Sequence, residues 1–178
     1  MVGLLVFSNL TIKSHIGDYQ VYFNENALEE LEQSILKDVH FIIDKKVAKL
    51  YKSKIPNILS YSSVLLIEAK ETNKSFNKFP KYVDYLVSKG LRRDQELIAI
   101  GGGIIQDITC FLSATMLRGV NWRFYPTTLL SQADSCIGSK SSINSGKAKN
   151  ILGTFTPPRE VHISSLFLNT LDHREILS

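Results

Sequence analysis

Short apolar runs alternate along this chain with segments whose apolar residues recur at helical spacing, and that alternation restricts the fold more than any other feature. His40-Phe41-Ile42-Ile43, residues 63–68 and Glu96-Leu97-Ile98-Ala99-Ile100 read as strands. Helical patterns lie near 46–51, over 80–88 before Gly90, and over 104–117 before Gly119. Strands this apolar have no polar face to offer to water, so they belong in a parallel sheet covered on both sides, with ligands at the carboxyl ends of its strands. Upstream, residues 11–14 and 18–23 alternate apolar and polar side chains around Ile16-Gly17-Asp18, the pattern of a strand pair with a turn. Asn26 opens a capped amphipathic helix with Leu28, Leu31 and Ile35 on one face. The expected fold is α/β: a Rossmann-like, mostly parallel sheet with helices on both faces and an N-terminal β-hairpin. Its 178 residues suit one domain, and 44% hydrophobic residues supply a core. There is no internal repeat or low-complexity tract, and the basic stretch 70–79 reads as a loop.

Gly101-Gly102-Gly103 joins the strand at 96–100 to the helical pattern at 104–117. A turn without side chains lets backbone N–H groups approach an anion, and the helix start adds unpaired donors and the positive end of the dipole. A tight turn that needs positive φ and binds nothing would use the same residues. The segment downstream tips the balance. Residues 118–158 carry Arg118, Asp134, Lys140, Lys147, Lys149 and Asn150 among many small polar residues, and read as loops and short turns. Any one lysine there can be plain solvated surface. Together they suit a small phosphorylated polyol, with cations for the phosphate and Asp and Asn for hydroxyls.

The formal net charge of +4 fits anionic ligands. It would also fit a nucleic acid, but the lysines are scattered and no nucleic-acid motif accompanies them. Cys110 and Cys136 have no paired spacing, which points to a reducing compartment. Cys110 lies on an apolar helix and reads as core, whereas Cys136 sits in the polar segment and could be a reactive thiol. The N-terminus lacks a signal-peptide pattern and no stretch reaches membrane-spanning length, so a cytoplasmic protein without membrane contact is expected.

The order GGGxxxD, LRG, PTTLLxxxDSxIGxK and KNxxGxFxPP, from Gly101 to about Leu171, resembles the 3-dehydroquinate synthases and the wider sugar phosphate cyclases. The resemblance implies a cofactor site for NAD at Asp44, Glu71, Lys74, Gly101, Gly102, Gly103, Asp107, Thr127, Thr128, Lys140, Lys149, Phe167, Thr170 and Leu171. An acid at position 44 would accept from ribose hydroxyls and repel a 2′-phosphate, favouring NAD over NADP. It also implies a substrate site at Arg118, Asp134, Lys140, Lys149 and Asn150, with Lys140, Asp134 and Asn150 in catalytic roles. The implied reaction is NAD- and metal-dependent conversion of 3-deoxy-D-arabino-heptulosonate 7-phosphate to 3-dehydroquinate with release of phosphate, by a homodimer, in aromatic amino-acid biosynthesis.

In that family a Glu just after a motif of the form LPxREFxxGxAE and two His from a following helical domain hold zinc or cobalt. This chain ends at Leu171-Asp172-His173-Arg174-Glu175-Ile176-Leu177-Ser178, before the expected Glu. None of His15, His40, His162 and His173 has ligand spacing, and His40 and His162 adjoin β-like runs as strand-edge or partly buried residues. No metal site is expected within these residues, which read as a single NAD-binding domain, 1–178, without the C-terminal helical metal-binding domain and inactive when isolated. Departures from the pattern include Gln106 for a usual Gly, accommodated if its side chain turns to solvent, Ser139 and Ala148 for Gly, and the extra Lys147. They leave open a cyclase for sedoheptulose 7-phosphate or a related sugar, an iron-containing alcohol dehydrogenase-like protein, or a non-catalytic NAD-binding module. The alcohol dehydrogenases do not need Lys140, Lys149 and Asn150.

Overall fold

The computed structural model describes residues 9–34 and 37–171. β1 (Leu10–Ile12) and β2 (Tyr19–Phe23) form the expected antiparallel pair, with Gly17 in the turn at φ 131. α1 (Ala27–Gln33) follows, then β3 (Val39–Asp44), α2 (Lys45–Leu50), α3 (Pro56–Ser60), β4 (Val64–Ile67) and α4 (Phe79–Ser88). β5 (Glu96–Gly101), α5 (Gly103–Thr115), β6 (Asn121–Pro126) and α6 (Leu129–Ala133) come next. A hairpin of β7 (Ile143–Ser145) and β8 (Ala148–Leu152) and a last strand, β9 (Glu160–Ile163), complete the order. The main sheet has seven strands in the order β1-β2-β9-β6-β5-β3-β4, and every pairing except β1 with β2 is parallel.

Each central strand is buried on both faces, as its continuous apolar run requires. Successive side chains serve opposite cores. Ile42, Leu97, Ala99, Trp122 and Phe124 pack with Leu86 of α4 and Ile105, Ile108 and Leu112 of α5. Phe41, Ile43, Ile98, Ile100 and Tyr125 pack with Leu28 and Leu31 of α1 and Val47 and Ala48 of α2.

Several expectations change. Residues 118–158 are not all loop: β6 lies in the middle of the sheet, between β5 and β9. Its alternation of Asn121 and Arg123 with Trp122 and Phe124 is short, and the Gly- and Ser-rich run that begins near Ser135 dominates the segment as a whole. The helix ascribed to 104–117 ends at Thr115, and Leu117, Arg118 and Gly119 take φ of 53, 64 and 114 to reverse the chain into β6. Stretch 70–79 forms two 3-10 turns, Glu71–Lys74 and Phe76–Lys78, before α4 begins. α3 has no counterpart in the sequence reading; its N-terminal amides are satisfied by a buried carboxylate from another helix, Glu32, which accepts from Asn57 N–H at 2.6 Å and Ile58 N–H at 3.0 Å. Asn26 makes no side-chain cap; Asn24 Oδ1 accepts from Asn26 N–H at 2.9 Å instead. Ile35 lies outside the described residues. His40 is fully buried rather than at an edge, held by Ser63 Oγ at 2.7 Å and Gln95 Oε1 at 2.9 Å.

Trp122 carries the largest fully enclosed side chain of β6, and its indole N–H donates to Thr156 O at 3.1 Å. Trp122→Ala is expected to cost about 3–5 kcal/mol of unfolding free energy, measured as a lowered urea midpoint at unchanged slope.

Candidate functional site

Because parallel neighbours are in register, with Ile43 opposite Ile100 and Gly101 opposite Pro126, β3, β5 and β6 end on one edge of the sheet. The turns leaving them converge there. The three glycines serve this convergence in different ways. A Cβ on Gly101 would lie 2.5 Å from Cγ1 of Ile105, and one on Gly102 would lie 2.7 Å from Cγ2 of Thr128. Gly103 faces open space. None of the three has positive φ, so close packing, not handedness, demands Gly101 and Gly102, while neither demands Gly103. Gly102 supplies no side-chain cap to α5, whose first backbone bond runs from Gln106 N–H to Gly102 O at 3.0 Å. The N–H groups of Gly103, Ile104 and Ile105 precede that bond and have no carbonyl to reach within the helix.

In front of this helix start lies a cavity of about 580 Å³, bounded by Asp44, Lys45, Lys46 and Lys49 on one wall and by Glu68 and Lys70 on another. Gly102, Gly103 and Thr128 form its floor. Asp44, nearly buried at the end of β3, caps α2 by accepting from Lys46 N–H at 2.9 Å. A narrow cleft of about 40 Å³ links Asp44 and Thr128 to Thr127, Phe167, Thr170 and Leu171. Thr127 N–H donates to Gly101 O at 3.0 Å, while Thr128 caps α6 in a capping box with Ser131. Phe167 is buried against the edge of the Tyr51 ring, whose hydroxyl lies 3.0 Å from Thr170 Oγ1. Residues more than a hundred positions apart thus come together around Asp44.

A second cavity, of about 380 Å³, is lined by Gly103, Gln106, Asp107, Ser135, Lys140, Ser142 and Asn150. Gly103 is common to both cavities. Asp134, predicted to join Lys140 and Asn150, precedes Ser135 at the end of α6, is exposed, and is not among the residues lining this second cavity. Below it runs a polar network. Lys74, only 7% exposed, donates to Asp107 Oδ2 at 3.0 Å and Asn150 Oδ1 at 3.1 Å, and Glu71 Oε1 lies 3.3 Å from the same ammonium. Asp107 also accepts from Ser142 N–H at 2.9 Å and Ser142 Oγ at 3.1 Å. Burial pushes the Asp107 carboxyl above its ordinary range, with Lys74 and Ser142 opposing the shift. Glu71 is held below its usual range, chiefly by the hydrogen bond from Asn144 and then by Lys74 and Lys149.

Several anticipated residues sit elsewhere. Lys74 and Glu71 do not line the Asp44 cavity; the 3-10 turn carries them under the second cavity. Asp107 faces Lys140 rather than the Asp44 cavity, because it lies one helical turn beyond Gly103. Lys149 lines a separate exposed cavity with Glu71, Lys78 and Lys147. Arg118 lies past the far end of α5, about 20 Å along the helix from Gly103, and is exposed there. One chain does not bring it to the site. Gln106 turns inward rather than to solvent: only 3% exposed, it donates through Nε2 to Ser135 O at 2.6 Å and accepts from Ser135 Oγ at 2.7 Å. Cys136 is buried, and its thiol is pushed up to about 11 by that burial, which disfavours the reactive reading. Cys110 is buried in the core as expected.

Among the described residues no group of three His, Cys, Asp or Glu could hold a metal ion, and His173 lies outside them. His162 is stacked between Tyr125 at 4.6 Å and Tyr22 at 5.1 Å and paired with Glu160. No helix among the described residues is long and apolar enough to cross a membrane. Ser142, Asn144 and the lysines of α2 were missed. The lysines had a signal, since Lys45 and Lys46 directly follow Asp44 and Lys49 lies one helical turn further on; the contacts of Ser142 with Asp107 and of Asn144 with Glu71 had none, because those partners lie 35 and 73 residues away.

Residues 64–178 match the 3-dehydroquinate synthase N-terminal family. The 3-dehydroquinate synthase of Thermoanaerobacter sp. (strain X514) is 39% identical over 177 residues, 94% of this chain and 50% of that protein. Among solved structures, 2-epi-5-epi-valiolone synthase from Streptomyces hygroscopicus subsp. jinggangensis 5008, with NAD+ and Zn2+ bound, is 30% identical and superimposes with a TM-score of 0.75 over 95% of this chain and 48% of that one. 2-Deoxy-scyllo-inosose synthase complexed with carbaglucose-6-phosphate, NAD+ and Co2+ has a TM-score of 0.81 at 23% identity, over 94% of this chain and 49% of that one, a likeness of fold. The chain spans about half the length of the curated relatives it matches.

Removing Lys74 would leave Asp107 charged, buried and without its cation, so Lys74→Met is expected to destabilise the fold by about 3–5 kcal/mol near neutral pH. Because the folded pKa of Asp107 is raised, its charge costs stability above that pKa, and protonation removes the cost as pH falls. Glu71, whose lowered pKa stabilises the fold above its unfolded value, loses part of that benefit with Lys74. Both effects make the deficit shrink on acidification; urea titrations of variant and wild type at several pH values measure it.

Proposed function

The chain belongs to the 3-dehydroquinate synthase family, and we propose that it forms the nucleotide- and phosphate-binding half of a sugar phosphate cyclase that uses NAD. The observation carrying this reading is the pair of cavities that meet at Gly103, one walled by Asp44 and the other by Lys140, Asp107 and Asn150.

The donor set fits the cofactor. Gly103 leaves the space a side chain would fill, the start of α5 offers backbone N–H groups to a pyrophosphate, and Asp44 offers carboxylate oxygen to ribose hydroxyls. Thr127, Thr128, Phe167, Thr170 and Leu171 would close the adjoining cleft. When bound, NAD supplies reversible hydride transfer at a carbinol carbon. Lys140 would hold the phosphate of the sugar, and Asn150 and Asp134 its hydroxyls. Asp107, Lys74 and Ser142 keep the wall behind them rigid and satisfied. The described residues do not provide a metal site, so no chemistry through a metal is assigned to them.

For the substrate, 3-deoxy-D-arabino-heptulosonate 7-phosphate, converted to 3-dehydroquinate with loss of phosphate, is supported by the identity to 3-dehydroquinate synthases. A second reading, a cyclase for sedoheptulose 7-phosphate or a related sugar, is favoured by Gln106, whose buried amide occupies the wall where the resembling family usually has Gly. The Lys140 and Asn150 cavity weighs against an alcohol dehydrogenase-like or purely cofactor-binding role.

Phosphate release by the full-length enzyme with NAD and a divalent metal separates these readings. Release from the heptulosonate alone is expected. Release from sedoheptulose 7-phosphate alone would establish the second reading, and release from neither would overturn both. Asp44→Asn keeps the α2 cap but removes the ribose-facing charge, and should weaken NAD binding about 10-fold by calorimetry. Lys140→Ala is expected to lower kcat/KM for the sugar phosphate by about 10–100-fold.

A further inference from the structure

The β7–β8 hairpin departs from a regular ladder at the place where it presents Asn150. Ile143 pairs with Leu152 and Ser145 with Ala148, so Asn144 alone stands opposite Lys149, Asn150 and Ile151. A bulge of this kind pushes the longer strand outward and takes its amides off the ladder. Asn150 sits in it at φ 54, a left-handed conformation that needs support from its surroundings.

That support is the side chain of Asn144. Its Oδ1 accepts from Asn150 N–H at 2.8 Å, and its Nδ2 donates to Glu71 Oε1 at 2.8 Å. Asn144 is 8% exposed and its backbone bridges to Ser75, so the amide is held from both ends. Meanwhile Lys74, which can only donate, bonds Asn150 Oδ1. The carbonyl end of the Asn150 amide must therefore face Lys74, and its NH2 end is the end left for the cavity containing Lys140.

We infer that Asn144 is a positioning residue: it builds the bulge that turns Asn150 into a hydrogen-bond donor aimed into the Lys140 cavity, without touching the ligand itself. This rests on the reading of that cavity as the sugar phosphate site. The group it serves is an acceptor-rich one, a phosphate or hydroxyl oxygen.

The test is a double-variant cycle in the full-length enzyme, using whichever sugar phosphate the wild type turns over. Asn144→Ala is expected to lower kcat/KM about 10–100-fold, the scale of a misaimed contact, while NAD affinity stays within about threefold. If Asn144 acts through Asn150, Asn144→Ala together with Asn150→Ala loses no more than Asn150→Ala alone; independent, multiplying losses would overturn the inference. Hydrogen exchange at the Asn150 amide gives a second readout that needs no activity. Exchange faster by about 10-fold or more in Asn144→Ala supports the inference, and an unchanged rate overturns it. A wild type that turns over neither sugar phosphate defeats the functional reading, and the exchange measurement still decides the role of Asn144.

Discussion

One buried ammonium holds the polar half of this molecule in place. Lys74 reaches from a 3-10 turn after β4 to Asp107 on α5 and to Asn150 on β8, three segments distant in sequence. Burying a charge is costly unless it is paired and hydrogen-bonded, and Lys74 meets Glu71, Asp107 and Asn150 together. The same contacts that satisfy it fix the wall of the second cavity. Stability and site geometry are therefore coupled through a single side chain.

The sheet edge works on the opposite principle, by removing side chains. Gly101 and Gly102 bring the start of α5 against Ile105 and Thr128, and Gly103 leaves open space shared by the two cavities. Parallel strands in register place Asp44, Gly101 and Pro126 at one level. A ligand lying across that edge would meet backbone donors from α5, an acid from β3 and, around the corner of Gly103, the cation of Lys140. The two cavities thus meet at Gly103.

Gln106 shows how a departure from a familiar pattern is absorbed. Its amide and Ser135 bond each other in both directions, so a bulky polar residue at the first turn of α5 leaves no donor or acceptor stranded. The clasp also ties the turn that carries Asp134 to the helix that carries Asp107. It gives the second cavity a fixed polar surface.

Much of this was legible in the residues themselves. The apolar runs at β3, β4 and β5 marked parallel strands, of which β3 and β5 are central and β4 is the edge strand, and the glycine turn and Asp44 had to share a rim because parallel strands end together. The polar segment hid β6, since Trp122 and Phe124 are flanked by residues typical of loops and only the groove between β5 and β9 makes that stretch a strand. The polar segment's chemistry pointed to Asn150, and the family resemblance to Lys74 and Asp107, each one at a time. Their meeting at 3.0 and 3.1 Å and the anchoring of Asn144 on Glu71 depended on contacts between residues far apart in the chain. Hydrophobic periodicity is a local property that sequence records directly. The partner of a buried polar group is set by how the elements pack, and only the tertiary structure decides it.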